Sequence, residues 1–287
     1  MKKQLLFALV FVSASLAAQS PWARSKAGFF VQGSWNFIPS YGTLFGPNGK
    51  DILLRRTVSE NIFQLYGEYG LDDKTTLITS LPLVFNKHGA INPKAPPVFL
   101  IDSYDGDGVG KIAGVGNVTV ALRHQFLSTK IALAGTLRVG LPAMTAYQPW
   151  ADLRTGYNAL MMEPMVNVGM GLGSVYWSAY GGLCFRNNRY SDFSHLGAEM
   201  GVQMGKVWLI GFTEMVYSWG NGKRTLPDEY VLTGLYVNNQ AWFSMGVKAL
   251  WQINRFVGIS FSGAGAAWAQ YVPKSPGLGL GVYFKWD

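Results

Sequence analysis

The stretch Leu160-Met-Met-Glu-Pro-Met-Val-Asn-Val-Gly-Met-Gly-Leu-Gly-Ser-Val-Tyr-Trp-Ser-Ala-Tyr-Gly-Gly-Leu-Cys-Phe-Arg186 decides the fold. Between Pro164 and Phe185 it carries no charge, and its length alone would let a helix cross a bilayer. Its content argues against a helix: Gly169, Gly171, Gly173, Gly181 and Gly182 lie inside it, with Asn167 and Ser178. The pattern has a period of two on either side of Gly171-Leu-Gly-Ser174. Before that turn Leu160, Met162, Val166, Val168 and Met170 alternate with Met161, Glu163, Met165, Asn167 and Gly169. After it Val175, Trp177, Ala179, Leu183 and Phe185 alternate with Tyr176, Ser178, Tyr180, Gly182 and Arg186. This is a β-hairpin with one apolar face and one mixed face.

The alternation recurs outward in both directions. Phe63, Leu65 and Tyr69 oppose Gln64, Tyr66 and Glu68; Val120, Leu122 and Phe126 oppose Thr119, Arg123 and Gln125; Leu137, Val139 and Leu141 oppose Thr136, Arg138 and Gly140. Leu196, Met200, Val202 and Met204 oppose His195, Glu199 and Gln203, and Leu278, Leu280, Val282, Phe284 and Trp286 oppose Gly279, Gly281, Tyr283 and Lys285. Counted along the chain, the pattern predicts twelve strands. Short turns fall near Leu71–Thr75, Ser128–Lys130, Gly171–Ser174, Met204–Lys206 and Gln252–Arg255. Longer loops are expected at roughly 38–60, 86–112, 142–157, 187–193, 219–238 and 270–276. An even strand count with short turns at one end and long loops at the other describes an all-β, up-and-down antiparallel transmembrane β-barrel of the outer membrane. Hydrocarbon leaves no partner for an unpaired backbone group, so a spanning sheet has to close on itself.

The 287 residues hold 49% hydrophobic and only 14% charged residues, which excludes intrinsic disorder. A single cysteine, Cys184, excludes an internal disulfide framework and a paired-cysteine metal site. Met1-Lys2-Lys3, the apolar run Leu5 to Val12 and the small residues Ser13 to Ala18 read as a secretory signal peptide over residues 1–18, leaving 19–287 as one barrel domain. The apolar run is too short to be a membrane anchor. A secreted β-sandwich would alternate too. The strands, however, reach the ~9–11 residues needed to cross a bilayer at a tilt, and their apolar faces carry almost no charge. At the C-terminus Gly281, Phe284 and Trp286 resemble the terminal-strand signal read by the outer-membrane barrel assembly machinery. Asp287 follows the final aromatic and departs from the commonest form.

Ala113-Gly-Val-Gly-Asn-Val-Thr-Val-Ala-Leu-Arg-His-Gln-Phe-Leu127, a tight turn, and Ile131-Ala-Leu-Ala-Gly-Thr-Leu-Arg-Val-Gly-Leu-Pro142 resemble the outer-membrane barrels of the phenol meta-pathway-associated group. That group is related to the fatty-acid and toluene transporters. Asn117 stands where the group typically has Asp, and no Thr-Gly follows Pro142. The resemblance implies passage of small, often apolar compounds. Fatty-acid transporters have an N-terminal plug. Here the first strand is expected near Ala27, which leaves too few residues after the signal peptide for such a plug.

Catalytic chemistry finds little support. Asp192, Ser194 and His195 are neighbours, but adjacent strand residues point to opposite faces, so Ser194 and His195 do not meet. His124 faces outward without a serine on its face. Ser103-x-Asp105-x-Asp107-Gly108 has the start of a calcium loop, but Gly114 stands where its final Glu belongs. Gly46-Pro-Asn-Gly49-Lys50 lacks phosphate-loop spacing and reads as a turn. No enzyme activity, cofactor or metal is expected. The net charge of +8 is spread through loops, which suits lipopolysaccharide phosphates and not nucleic acid.

Function is therefore expected in the lumen. Inward charges are Glu68, Arg123, Arg138, Glu163, Arg186, Glu199, Glu214 and Lys248, four of each sign, which favours mutual pairing over a single-sign ring. Arg138 and Glu163 fall at matching heights on adjacent strands. Tyr66, Tyr176, Tyr180, Trp208, Phe212 and Trp242 crowd part of the interior, while Gly258, Ser260, Ser262, Gly279 and Gly281 leave a small-residue wall and room for a narrow, off-axis passage. The leading expectation is a channel or transporter for small, partly apolar or aromatic solutes in the outer membrane of a Gram-negative envelope. Its other partners would be the lipid bilayer, lipopolysaccharide and the barrel assembly machinery. The alternative is a closed barrel serving as an envelope scaffold or surface-loop binder.

Overall fold

Period-two alternation in the sequence becomes two faces in the computed structural model, which describes residues 20–95, 110–144, 152–224 and 231–286. The strands are β1 (Phe29–Phe45), β2 (Asp51–Gly70), β3 (Thr75–Ile91), β4 (Lys111–Val115), β5 (Thr119–Ser128), β6 (Ala132–Gly140) and β7 (Met161–Leu172). They continue as β8 (Val175–Arg186), β9 (Phe193–Met204), β10 (Val207–Ser218), β11 (Ala241–Gln252), β12 (Val257–Gln270), β13 (Val272–Pro273) and β14 (Gly277–Trp286). Every pairing is antiparallel between neighbours. The sheet closes where β1 pairs β2 on one side and β14 on the other, with Phe29 opposite both Tyr69 and Trp286. Strands β4 and β5 both pair β3 and form one barrel strand interrupted at 116–118, and β13 only extends the end of β1. The result is the expected closed barrel of twelve strands, with two short extra segments.

The outward face is the lipid face. Phe63, Leu65, Phe126, Val166, Met200 and Val247 all stand more than half or nearly half exposed on it, with no charge among them. Aromatics ring the end that carries the short turns: Phe29 stacks on Phe284 at 5.7 Å, and Phe256 stacks on Trp286 at 5.0 Å. Such girdles mark the membrane–water boundary, and short turns mark the periplasmic end. No helix among the described residues is long and apolar enough to cross a membrane.

On the inward face, tyrosines lie flat over glycines of the neighbouring strand. A Cβ added to Gly197 would sit 2.3 Å from Tyr180, one on Gly201 2.3 Å from Tyr176, and one on Gly258 2.2 Å from Tyr283. The glycines exist to receive those rings. This aromatic cover over glycine pins strand register in a curved sheet.

The structure corrects three expectations. The span 38–60 is no loop: β1 and β2 run on as a hairpin turning at Pro47–Gly49. Above the bilayer no lipid face is required, so the alternation that betrays a spanning strand is lost there. The loop expected at 86–112 is shorter, because β3 continues to Ile91 and β4 starts at Lys111. The first strand starts at Phe29, since Ala27 takes a left-handed turn with φ 63°. The expected signal peptide (1–18) and the calcium-like Ser103–Gly108 lie outside the described residues.

Candidate functional site: the barrel lumen

Three layers of side chains divide the lumen. At the periplasmic end the segment 20–26 turns inward instead of hanging free. Ala23 N donates to Gln125 Oε1 at 3.0 Å, and Arg24 N to Thr76 Oγ1 at 2.9 Å. Arg123 Nη1 donates to the Ser20 carbonyl at 2.9 Å, and Arg24 Nε to Glu68 Oε2 at 2.8 Å. Trp22 meets Tyr176 edge-on at 5.9 Å, and Tyr176 in turn meets Trp208 at 5.4 Å. All these partners face the lumen. The segment is far shorter than the plug of the fatty-acid transporters; it lies against the wall because inward Gln125, Thr76, Arg123 and Glu68 each offer a polar group to the extended backbone or to Arg24.

Above it lies a central chamber of about 200 Å3. One wall carries Gln32, Asn36, Ser260, Ser262 and Gly279; on the other Lys248 Nζ pairs Glu199 Oε2 at 3.1 Å, and the Tyr176 hydroxyl donates to Glu199 Oε1 at 3.0 Å. Phe212 lies beneath the Lys248 ammonium at 5.1 Å. The small-residue wall is less empty than its composition suggests. A Cβ on Gly279 would lie 2.7 Å from Asn36 Oδ1, and one on Gly281 2.8 Å from Gln32 Nε2. Polar side chains of β1 thus rest on the glycines of β14.

The upper layer holds a buried charge cluster spread over β6 to β10. Arg138 is directly opposite Glu163 in the β6–β7 register, and Nη1 lies 3.2 Å from Oε2. His195 Nδ1 lies 2.6 Å from Glu163 Oε1, and its Nε2 lies 3.1 Å from Glu214 Oε1, with the Tyr180 hydroxyl at 3.3 Å. In the sequence alone His195 stands out only as a candidate for catalysis. Its parity with Glu199 already placed it inward, but no periodicity could show that two carboxylates on other strands converge on its ring. Ser194 points away and accepts a bond from Trp219 Nε1 at 2.9 Å, so the Asp-Ser-His neighbours form no catalytic unit. Among the described residues no group of three His, Cys, Asp or Glu is placed to hold a metal ion.

Beside this cluster sits an upper chamber of about 170 Å3, with Ile62, Val84, Met161 and Trp242 as apolar wall and Tyr157, Tyr236 and Gln240 as roof. The roof is built by residues 152–159 and 231–240. Leu153, Val231, Leu235 and Val237 pack on Ile38, Tyr41, Leu44, Leu54 and Val58 of the β1–β2 hairpin. Gly234 takes φ 72°, and a Cβ there would press on Leu44 at 2.7 Å. The Tyr157 hydroxyl donates to Gln240 Oε1 at 2.5 Å; burial pushes its pKa above the ordinary phenol value, which keeps it a donor. The chambers are stacked. Gln64 lines both the upper and central ones, while Arg24, Glu68, Tyr176 and Glu199 line both the central one and the periplasmic mouth.

Comparison with known proteins bears on the fold. No family model matches the sequence. No curated protein matches it either. Among solved structures, an outer-membrane channel from Pseudomonas putida F1 superposes with a TM-score of 0.66 at 13% identity, covering 96% of this chain and 100% of that one. The NanC porin superposes with a TM-score of 0.50 at 7% identity, covering 90% of this chain and 100% of its own. The chain has the fold of the outer-membrane channel barrels.

Proposed function

We propose that the protein is exported through a cleaved signal peptide, resides in the outer membrane and admits small, partly apolar molecules through its lumen. The observation that carries this reading is the stack of chambers with shared walls, running from beneath the extracellular roof to the periplasmic mouth. A site that takes a small molecule is typically apolar with a few placed polar groups. The upper chamber has that composition, and its volume of about 170 Å3 compares with the roughly 150 Å3 cavity that holds one benzene ring. Roof and N-terminal segment cover the two ends, so passage requires both to give way, and sugars would be excluded at both. The structural neighbour from Pseudomonas putida is described as a channel, which agrees with this reading at the level of fold.

Two measurements test it. Vesicles with a lipopolysaccharide outer leaflet should take up radiolabelled benzyl alcohol faster when they contain the protein. The same protein in liposome swelling should pass little or no raffinose. Uptake of benzyl alcohol that does not respond to the protein would favour the scaffold reading, for which the close packing of the roof speaks.

A further inference from the structure

Arg186 ends β8 at the top of the lumen and lines the upper chamber. Its environment differs from that of Arg138, Lys248, Arg123 and Arg24. Arg138 pairs with Glu163, Lys248 with Glu199, and Arg123 and Arg24 with Glu68. Among the described residues, no carboxylate lies within 4.0 Å of the Arg186 guanidinium. Three aromatic rings surround it instead: its central carbon lies 4.9 Å from the Tyr157 centroid, 5.3 Å from Tyr190 and 5.1 Å from Phe193. Nε is anchored on the Ser191 carbonyl at 2.5 Å. The nearby Asp192 carboxylate is committed elsewhere. Oδ1 accepts the Arg186 backbone N–H at 2.8 Å, and Oδ2 accepts from Asn221.

The chamber's own carboxylates are engaged as well. Both oxygens of Glu163 are taken by Arg138 and His195, and Glu214 meets the other side of the same imidazole. Arg186 is thus held by the three rings, by the Tyr157 hydroxyl and through Nε, with further terminal N–H donors left over. A guanidinium in that state is matched by the two oxygens of a carboxylate. The rings around it attract the cation but supply no anion. Across the chamber Ile62, Val84 and Trp242 offer an apolar surface.

We propose that Arg186 anchors a binding site in the upper chamber for monocarboxylates with a compact apolar body, of which an aromatic carboxylate is the simplest. The carboxylate sits on the terminal nitrogens of Arg186, and the ring lies against Ile62, Val84 and Trp242. The Glu163 and Glu214 carboxylates on the lumen wall disfavour a second negative charge on the ligand. The site deepens the reading of the lumen as a solute path but can fail separately from it.

The test is equilibrium dialysis of the full-length protein in detergent micelles with benzoate, benzyl alcohol and benzylammonium at neutral pH, beside the vesicle uptake described above. Wild type should bind benzoate about tenfold more tightly than benzyl alcohol, the size of a charge-assisted hydrogen-bonded contact, and benzylammonium least. Arg186→Gln should bring the benzoate to benzyl alcohol ratio close to one. Arg186→Lys should keep part of the preference, as a point charge without the planar fork. A wild-type ratio near one, tighter binding of benzylammonium, or a ratio that Arg186→Gln leaves in place each overturns the proposal. If Arg186→Gln does not fold, as read by heat-modifiable gel mobility, the wild-type ratio and Arg186→Lys still decide. Benzoate binding without uptake of any solute would leave this site standing and remove the transport reading.

Discussion

Arg24 is tied to Glu68 across the periplasmic mouth, Nε to Oε2 at 2.8 Å, and this contact is the one ion pair that the N-terminal segment makes with the wall among the described residues. Glu68 does not depend on it. Its other oxygen accepts from the Tyr66 hydroxyl at 2.6 Å and lies 3.5 Å from Arg123 Nη2.

Arg24→Ala should therefore loosen the segment without disturbing the barrel. Arg24 is a quarter exposed, so the loss in stability should be about 1 kcal/mol or less. Benzyl alcohol uptake into vesicles should rise several-fold, with unchanged heat-modifiable mobility. Uptake equal to wild type would show that the segment does not limit passage.

Arg138→Ala leaves Glu163 with His195 alone. The cost should be substantial but below the ~3–5 kcal/mol of a fully buried pair, because Arg138 is 19% exposed. Arg138→Ala with Glu163→Gln should recover part of it. Urea unfolding from lipid vesicles, followed by tryptophan fluorescence as a double-mutant cycle, measures the coupling directly. Independent, additive effects would contradict the pair seen here.

The barrel was legible in Leu160–Arg186 because lipid on one side enforces the alternation; the sequence there has no freedom to hide it. The hairpin at 38–60 escaped because its residues pair above the lipid, where Ile38, Tyr41, Leu54 and Val58 turn inward onto the roof. Alternation assigns His195 a face but not its neighbours, which come from β7 and β10 and are set by stagger between strands. Trp22 and Arg24 gave no signal at all. An extended segment without a partner strand has no period, and only the polar groups waiting for it on β2, β3 and β5 explain where it goes.

Gly171 lines the periplasmic mouth, and a Cβ there would meet nothing within 4 Å. Gly171→Trp should fold normally and place an indole beside Trp22. Uptake of benzyl alcohol should fall well below wild type, while the melting behaviour on gels stays the same. Undiminished uptake would place the route away from this mouth.

Gly197→Val should be far less innocent. Its side chain would collide with the Tyr180 ring, an overpacking that typically costs about 1–3 kcal/mol. The displaced ring would also leave His195, from whose centroid it stands 5.1 Å away. Lowered urea resistance of Gly197→Val, partly restored by adding Tyr180→Ala, is the expected outcome.

The three tyrosines laid over Gly197, Gly201 and Gly258 lie against the wall. Tyr176 still borders the central chamber and the mouth, but laid on its glycine each ring takes less of the bore than one standing away from the wall. Calibre in this barrel is thus governed by the absence of a methyl group on the adjacent strand, and the ring itself matters less. Replacing one of these glycines would swing a whole phenol into the lumen, so the width open to a solute would change in ring-sized steps while strand number and tilt stayed constant.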